Sequence, residues 1–493
     1  MLFIKVKVEK KRRKNITLSI ALIPVFFLIV ALSFTIIVFK QPPHIPLICA
    51  SAVAAIVAIS LKHPWKEIEQ GMVHGITLAL QAVIILMIVG TMIGTWIQGG
   101  IVPAMIYYGL KALSPGIFLL ATLIICSVVS LGTGSSWSTA GTVGVALIGV
   151  GKGLGIPMPM VAGAIISGAY FGDKMSPLSD TTNLAPAVAG TDVFSHVRHM
   201  VYTTAPSYII AATIYGILGT RFSGGAVESK NIDLILSTLK SSFFIHPILL
   251  LPPCLIIIMV IMKMPPLPGL FGGMLMGGIF AGLFQSSSLA EVIKAAQSGY
   301  VSQTGVKMVD ELLTRGGLES MMQTVALIIC ALSFGGIMER TGMLGILAES
   351  LLKRVKRVGG LVAASIFSCI GMNAIASDQY LSIVIPGRMY RNAFASRGLH
   401  PKNLSRCLED AGTLTSPLIP WNSCGAFMYA TLGVSPLHYL PFAFLNLINP
   451  VVSIFYGYTG ITMEKLKTAD DLSGENGEAR IKRPREEVDK EGD

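Results

Sequence analysis

Charge is what this sequence has least of: of 493 residues, 13% are Asp, Glu, Lys or Arg, while 52% are hydrophobic. Soluble domains carry about 25% charged residues, so a water-soluble globule is excluded. Regular alternation of apolar and polar residues is missing too, which excludes a β-barrel. The seven cysteines (Cys49, Cys126, Cys254, Cys330, Cys369, Cys407, Cys424) form no CxxC pair and no zinc spacing. They read as small buried hydrophobes. A phosphate-binding loop is absent: its nearest approach, Gly149-Val150-Gly151-Lys152, lacks the first glycine and the Ser or Thr. HExxH spacing is lacking as well. Aromatic platforms and clustered base-reading residues are missing, so nucleic acid is not an expected partner. Neither an enzyme nor a resident cofactor is expected.

What the sequence has is long apolar runs. Ile16–Phe39, Ile76–Ile97, Val201–Gly219 and Phe244–Met262 are each about 20 residues long, enough to span a bilayer as helix. The expectation is an all-α polytopic membrane protein with the lipid bilayer as its solvent. The first run exceeds a signal-peptide core of roughly 7–15 residues and no small-residue cleavage site follows it, so it counts as the first span. Residues 1–15 form a basic arm with seven bases and one acid between Lys5 and Lys14, which places that end in the cytoplasm. The net charge of +11 reflects this topology. Residues 460–493 form a charged tail whose composition predicts disorder.

Internal similarity divides the membrane region. Lys40-Gln41-Pro42-Pro43 recurs as Lys263-Met264-Pro265-Pro266. Gly100-Ile101-Val102 and Gly342-Met343-Leu344 correspond, as do Ser135-Ser136 with Ala376-Ser377 and Ser176-Pro177-Leu178 with Ser416-Pro417-Leu418. Four matches in order imply two repeats, 16–220 and 241–459, joined by a polar linker at 221–240. Such halves are how many secondary transporters are built.

Each half contains interrupted apolar stretches. In the first, Gly132-Thr133-Gly134-Ser135-Ser136-Trp137-Ser138-Thr139 splits an apolar run. In the second, Asn373-Ala374-Ile375-Ala376-Ser377-Asp378-Gln379-Tyr380 does the same. A second pair follows, at Gly172–Asn183 and Gly412–Ser423, each containing Ser-Pro-Leu; proline removes a donor and breaks helix. Short interrupted segments at matching positions point to a transporter's site. Unwound carbonyls, hydroxyls and carboxylates can coordinate a cation there. Basic residues flank the Asp378 segment on both sides (Lys353, Arg354, Lys356 and Arg357 before; Arg388, Arg391 and Arg397 after). Both flanks are then cytoplasmic, and the segment is expected to be a re-entrant hairpin with Asp378 near its tip.

Sixteen acids remain outside the arm and tail, and most lie in polar loops. Asp180 and Asp378 sit in hydroxyl-rich breaks with no adjacent base. Burying a charge at that depth costs at least roughly 2.5 kcal/mol, so these two are the expected ion-binding and coupling groups, holding either Na+ or a proton. Asp173, beside Lys174, is either a third such group or half of a structural pair. Glu409-Asp410 faces Arg406 and reads as a structural pair. Glu349 precedes Lys353 by one turn, the spacing of a helix-surface ion pair. Ser135, Ser136, Thr181, Asn183, Ser377 and Asn422 are either ion ligands or local backbone partners. The eight histidines, near expected helix ends and without clustering, suit the membrane interface; pH sensing is the alternative.

The Gly132–Trp137 run, the Gly172–Asn183 run, Ala376-Ser377-Asp378-Gln379-Tyr380 and Pro417-Leu418-Ile419-Pro420-Trp421-Asn422 together resemble the NhaC family of bacterial sodium/proton antiporters. The resemblance covers about 16–459, leaving out arm and tail. That family is grouped with the ion transporter superfamily. The kinship implies inverted repeats, re-entrant hairpins, discontinuous helices and a mobile transport domain against a scaffold, often in a homodimer. It also implies a bacterial inner-membrane location, with Na+ and H+ as substrates. Similar sequences include malate/lactate exchangers and amino-acid antiporters, so a Na+- or H+-coupled exchanger of small organic anions stands as the alternative.

Overall fold

A chain with this hydropathy has one economical solution in lipid. Backbone N–H and C=O groups find no water in the hydrocarbon, so long apolar runs close their own hydrogen bonds as helices. The computed structural model of the protein shows this. It describes residues 16–222, 226–262, 264, 266–352, 355 and 357–466; within these, the side chains of 37, 226–231, 257, 260, 261 and 266 are not described. The basic arm, most of the tail, and Lys263, Pro265, Lys353, Arg354 and Lys356 of the sequence motifs lie outside the described residues.

The helices run in this order. The N-terminal portion holds α1 (Leu18–Ser33), α2 (His44–Ser60), α3 (Trp65–Gln98), α4 (Ile101–Ala112) and α5 (Pro115–Thr133). Next come α6 (Ser136–Thr139), a π-helical turn (Ala140–Gly144), α7 (Val145–Gly153), α8 (Met158–Met175), α9 (Asp180–Ala189) and α10 (Val193–Thr220). The middle holds α11 (Ala226–Ser242), α12 (Leu251–Ile261), α13 (Pro266–Phe284), α14 (Leu289–Ser298) and α15 (Lys307–Leu313). Then follow α16 (Leu318–Arg340), α17 (Met343–Leu352), α18 (Val358–Ile375), α19 (Gln379–Ala395) and α20 (Pro401–Leu408). The chain closes with α21 (Ser423–Leu432), α22 (Pro436–Tyr439) and α23 (Phe444–Thr459). Among the described residues, seven helices are long and apolar enough to cross a membrane, or up to nine if two bent pairs each count as one span. Among the described residues the only β-pairing is two isolated bridges. The fold is all-α and multi-span.

Three local findings differ from the sequence reading. The expected linker at 221–240 is largely helix, since α11 begins at Ala226; Ile232–Ser242 and Pro247–Ile256 form one of the bent pairs, at 98°. The tail, expected to be loose from 460, is held as far as Leu466. Glu464 O accepts from His400 N at 3.0 Å, and the Glu464 carboxylate meets Lys402 Nζ at 2.5 Å. The second interrupted stretch has longer arms than its composition implied. Helix α18 continues to Ile375, and α19 runs through Pro386 to Ala395. The two arms, about 27 and 26 Å long at 1.5 Å per residue, fold back on each other. Arg397 Nη2 donates to Val355 O at 3.0 Å near the open end, and Ser368 Oγ meets Tyr390 Oη at 2.8 Å between the arms. Asp378 stands at the turn.

Small residues let the long helices approach closely. Helix α3, about 51 Å long, crosses α16 where Gly71 and Gly75 meet Gly336. A Cβ on Gly75 would lie 2.2 Å from Leu332 O, and one on Gly336 would lie 2.2 Å from Gly71 O. Both obstacles are backbone, which cannot rotate away. Overpacking of this kind costs about 1–3 kcal/mol. Gly75→Ala and Gly336→Ala should therefore each lower the melting temperature of the detergent-solubilised protein by several degrees. A wild-type melting curve for both would show that this crossing does not hold the two helices.

Candidate functional site

Four helix breaks define the site. Gly134, at φ 64°, ends α5 in the left-handed region, and Ser135 caps α6 by accepting from Ser138 N at 3.2 Å. Ser176–Ser179 separates α8 from α9. Ser377, at φ 58°, turns the chain between α18 and α19, where the Asp378 carboxylate caps α19 by accepting from Leu381 N at 2.9 Å. Ile419–Asn422 precedes α21, which Asn422 caps by accepting from Cys424 N at 2.9 Å. Residues from the first three breaks, with Ser423 and Cys424 in the first turn of α21 after the fourth, line one cavity of ≈ 250 Å³, closed on another side by Leu78, Gln81 and Ile85 of α3.

The carboxylates differ in setting. Asp173, in the last turns of α8, is buried and accepts from Ser136 Oγ at 2.5 Å and Ser179 Oγ at 2.6 Å. Asp378 is 4% exposed. Asp180, in the first turn of α9, is open to the cavity. Thr181 also lines the wall, its hydroxyl 3.1 Å from Ser179 Oγ. Among the described lining residues there is no Lys, Arg or His. Helix ends contribute partial charges of roughly half an electron each, but every break presents a C-terminus beside an N-terminus, so these largely cancel. The three carboxylates set the sign.

Not every candidate faces the cavity. Asn183 Nδ2 donates to Pro177 O at 2.8 Å and Ser179 O at 2.7 Å, tying down the loop it follows. Asn422 Nδ2 donates to Asn373 O at 3.0 Å and joins the α18 break to the α21 break. Ser377 is fully buried, and its carbonyl accepts from Ser423 N at 3.0 Å. These three brace unwound backbone. Ser135 and Ser136 do line the cavity, together with Trp137, Gln379 and Tyr380, which composition alone did not single out. Adjacency to Ser136 and Asp378 was the available signal.

Behind the wall lies a pairing that the sequence concealed. Lys174 and Asp410, 236 positions apart and both fully buried, form an ion pair. Asp410 Oδ1 also accepts from Thr203 Oγ1 at 3.0 Å and Asn449 Nδ2 at 2.7 Å. Arg406 Nε, the expected partner, stands 3.9 Å from Oδ2, and its guanidinium donates to Thr462 Oγ1 at 2.8 Å. Lys174 has the shorter reach to Asp410, so Arg406 is the secondary cation. Three of the histidines near helix ends are buried in protein. His196 and His199 are buried, against Ser405 Oγ at 2.7 Å and Asn403 Oδ1 at 3.2 Å; His63 is buried against Glu67 at 3.0 Å. Polar partners contributed by α20 give the first two rings a buried berth.

A sequence profile of the Na+/H+ antiporter family matches residues 168–461. The chain is 40% identical to the Na+/H+ antiporter NhaC of Alkalihalophilus pseudofirmus over 462 residues, covering 94% of this chain and all of that one. This chain belongs to the Na+/H+ antiporter family. It is also 41% identical to the malate-2H+/Na+-lactate antiporter of Bacillus subtilis over 88% of its length and 92% of that protein's. The arginine/ornithine antiporter ArcD of Halobacterium salinarum is 37% identical over 90% of this chain and 92% of its own. Family membership makes the protein a transporter.

Removing one partner of a buried ion pair strands the other, at about 3–5 kcal/mol, whereas replacing both with apolar groups is often neutral. Lys174→Met and Asp410→Leu singly should each lower the melting temperature or the folded yield. The double variant should recover most of the loss. A double variant damaged by the sum of the two singles would show that the pair is not coupled.

Proposed function

We propose that the protein exchanges Na+ for H+ across a bacterial inner membrane, with its basic arm on the cytoplasmic face and its two halves in inverted orientation. The observation that carries this is the acid-lined cavity, with Asp173, Asp180 and Asp378 on the wall and no basic residue among the described lining. Two like charges 5 Å apart repel by roughly 3 kcal/mol at an effective dielectric of 20. An organic anion would meet that repulsion from each ionised carboxylate, and a cation would gain it. The names of two NhaC relatives, from Alkalihalophilus pseudofirmus and Bacillus subtilis, support the same choice.

The mechanism follows from one property of a carboxyl group. In low dielectric it holds its proton tightly, and a bound cation expels that proton. Asp180 and Asp378 come from different breaks and hold Na+ or protons, never both at once. Ser135, Ser136 and Thr181 complete the oxygen set with neutral ligands suited to a hard cation. Loading sodium on one face and protons on the other couples the two fluxes without further machinery. The helix breaks are the natural places for the site to open alternately to each side.

Asn keeps the size and polarity of Asp but carries no exchangeable proton. Asp180→Asn and Asp378→Asn should abolish sodium-dependent proton movement in proteoliposomes reporting through a pH-sensitive dye, while the protein still inserts. Glu349→Gln on α17, which does not line the cavity, should transport at near wild-type rate. Wild-type exchange by both Asn variants would refute this assignment.

A further inference from the structure

One buried acid takes no part in the cavity or in the ion pair behind it. Glu409 begins a π-helical turn, Glu409–Thr413, that continues α20. It is fully buried, and neither of its carboxyl oxygens makes a hydrogen bond among the described residues. Thr413 Oγ1 is buried and unpartnered in the same way. An unsatisfied buried polar group costs about 1–3 kcal/mol, and more when charged. Three such oxygens close together are therefore not a packing accident.

Their surroundings say what they lack. The Glu409 carboxyl faces the hydroxyls of Thr413 and Thr181, with Lys174 and Asp173 as its nearest charged neighbours. Thr413 Oγ1 lies beside the Glu409 carboxyl without completing a hydrogen bond to it. The widened π-turn sets Glu409 and Thr413 at this spacing, and such turns recur at functional sites. Thr181 also lines the cavity, so its hydroxyl stands between the cavity and Glu409. The ammonium of Lys174 is engaged by Asp410, which removes most of its repulsion toward a second cation. Across the cavity wall and this cluster, five acids (Asp173, Asp180, Asp378, Glu409, Asp410) face two bases (Lys174, Arg406).

We propose that Glu409, Thr413 and Thr181 form a second site for Na+, behind the cavity wall and reached past Thr181. The proposal rests on the cation-exchange reading and adds a site to it. Carboxylate and hydroxyl oxygens are hard ligands of the kind that suit Na+, and the threonine hydroxyls add donors without adding charge.

Radioactive sodium binding to the purified full-length chain in detergent tests this, normalised to folded protein recovered by size exclusion. Wild type should bind two sodium ions per chain at saturation. Glu409→Gln should bind one. Thr413→Val keeps the shape and the carboxylate, and should weaken one of the two ions by about tenfold or more; it decides alone if Glu409→Gln does not fold. One ion in wild type, unchanged in both variants, overturns the second site and assigns these oxygens a proton or a water. Two ions in wild type and in both variants also overturns it. No binding in wild type would instead sink the cation-exchange reading itself.

Discussion

Unwound backbone inside a bilayer must find hydrogen-bond partners, and the architecture of this protein follows from how four breaks meet that demand. Each unsatisfied group costs several kcal/mol in hydrocarbon, so the breaks survive only because side chains from neighbouring segments serve them. Asn373 Nδ2 donates to Gly412 O at 2.8 Å, Trp421 Nε1 to Ala374 O at 2.7 Å, and Asn446 Nδ2 to Leu414 O at 2.8 Å. Tyr439 Oη caps Pro417 O. Thr182 Oγ1 reaches both Asp173 O and Lys174 O at 2.9 Å. Two of these bonds join the end of α18 to the segment before α21, and the others tie unwound carbonyls to flanking or neighbouring helices. The cavity is what remains where three of the breaks meet the first turn of α21.

On the proposed function, the same bracing is what gives the site its selectivity. Carboxylates held on fixed backbone cannot move apart when two of them ionise, and their mutual repulsion is relieved only by a proton or a cation. The ion pair of Lys174 with Asp410 lies directly behind Asp173 along α8. It fixes the end of α8 against the segment that carries Glu409. Hydroxyls from Ser136 and Ser179 hold Asp173 in place, while Asp180 has the freest access to the cavity. On that proposal, the wall distinguishes cations from anions by charge before any contact with the solute's shape.

Much of this was legible in the sequence. The breaks showed as Gly, Ser and Pro interrupting apolar runs, and the carboxylates on the cavity wall were Asp173, Asp180 and Asp378. What sequence does not carry is direction and partnership. Asn183 and Asn422 have the chemistry of ion ligands, yet their amides turn to backbone carbonyls; either use requires the same residue. The partner of Lys174 lies 236 positions away, and Arg406, one turn from Asp410, was the nearer candidate. Pro386 lies inside α19, where surrounding helices tolerate the missing donor. His196 and His199 are buried because Ser405 and Asn403 come from a different part of the chain.

The account turns on one competition: sodium and protons occupy the same carboxylates. Adding Na+ to the detergent-solubilised protein in weakly buffered solution near neutral pH, and reading the pH directly, measures that competition without membranes or gradients. Sodium should release protons in proportion to protein, and an equal addition of choline should release none. Sodium that binds without releasing protons would contradict the account, since the two ions would then use separate groups.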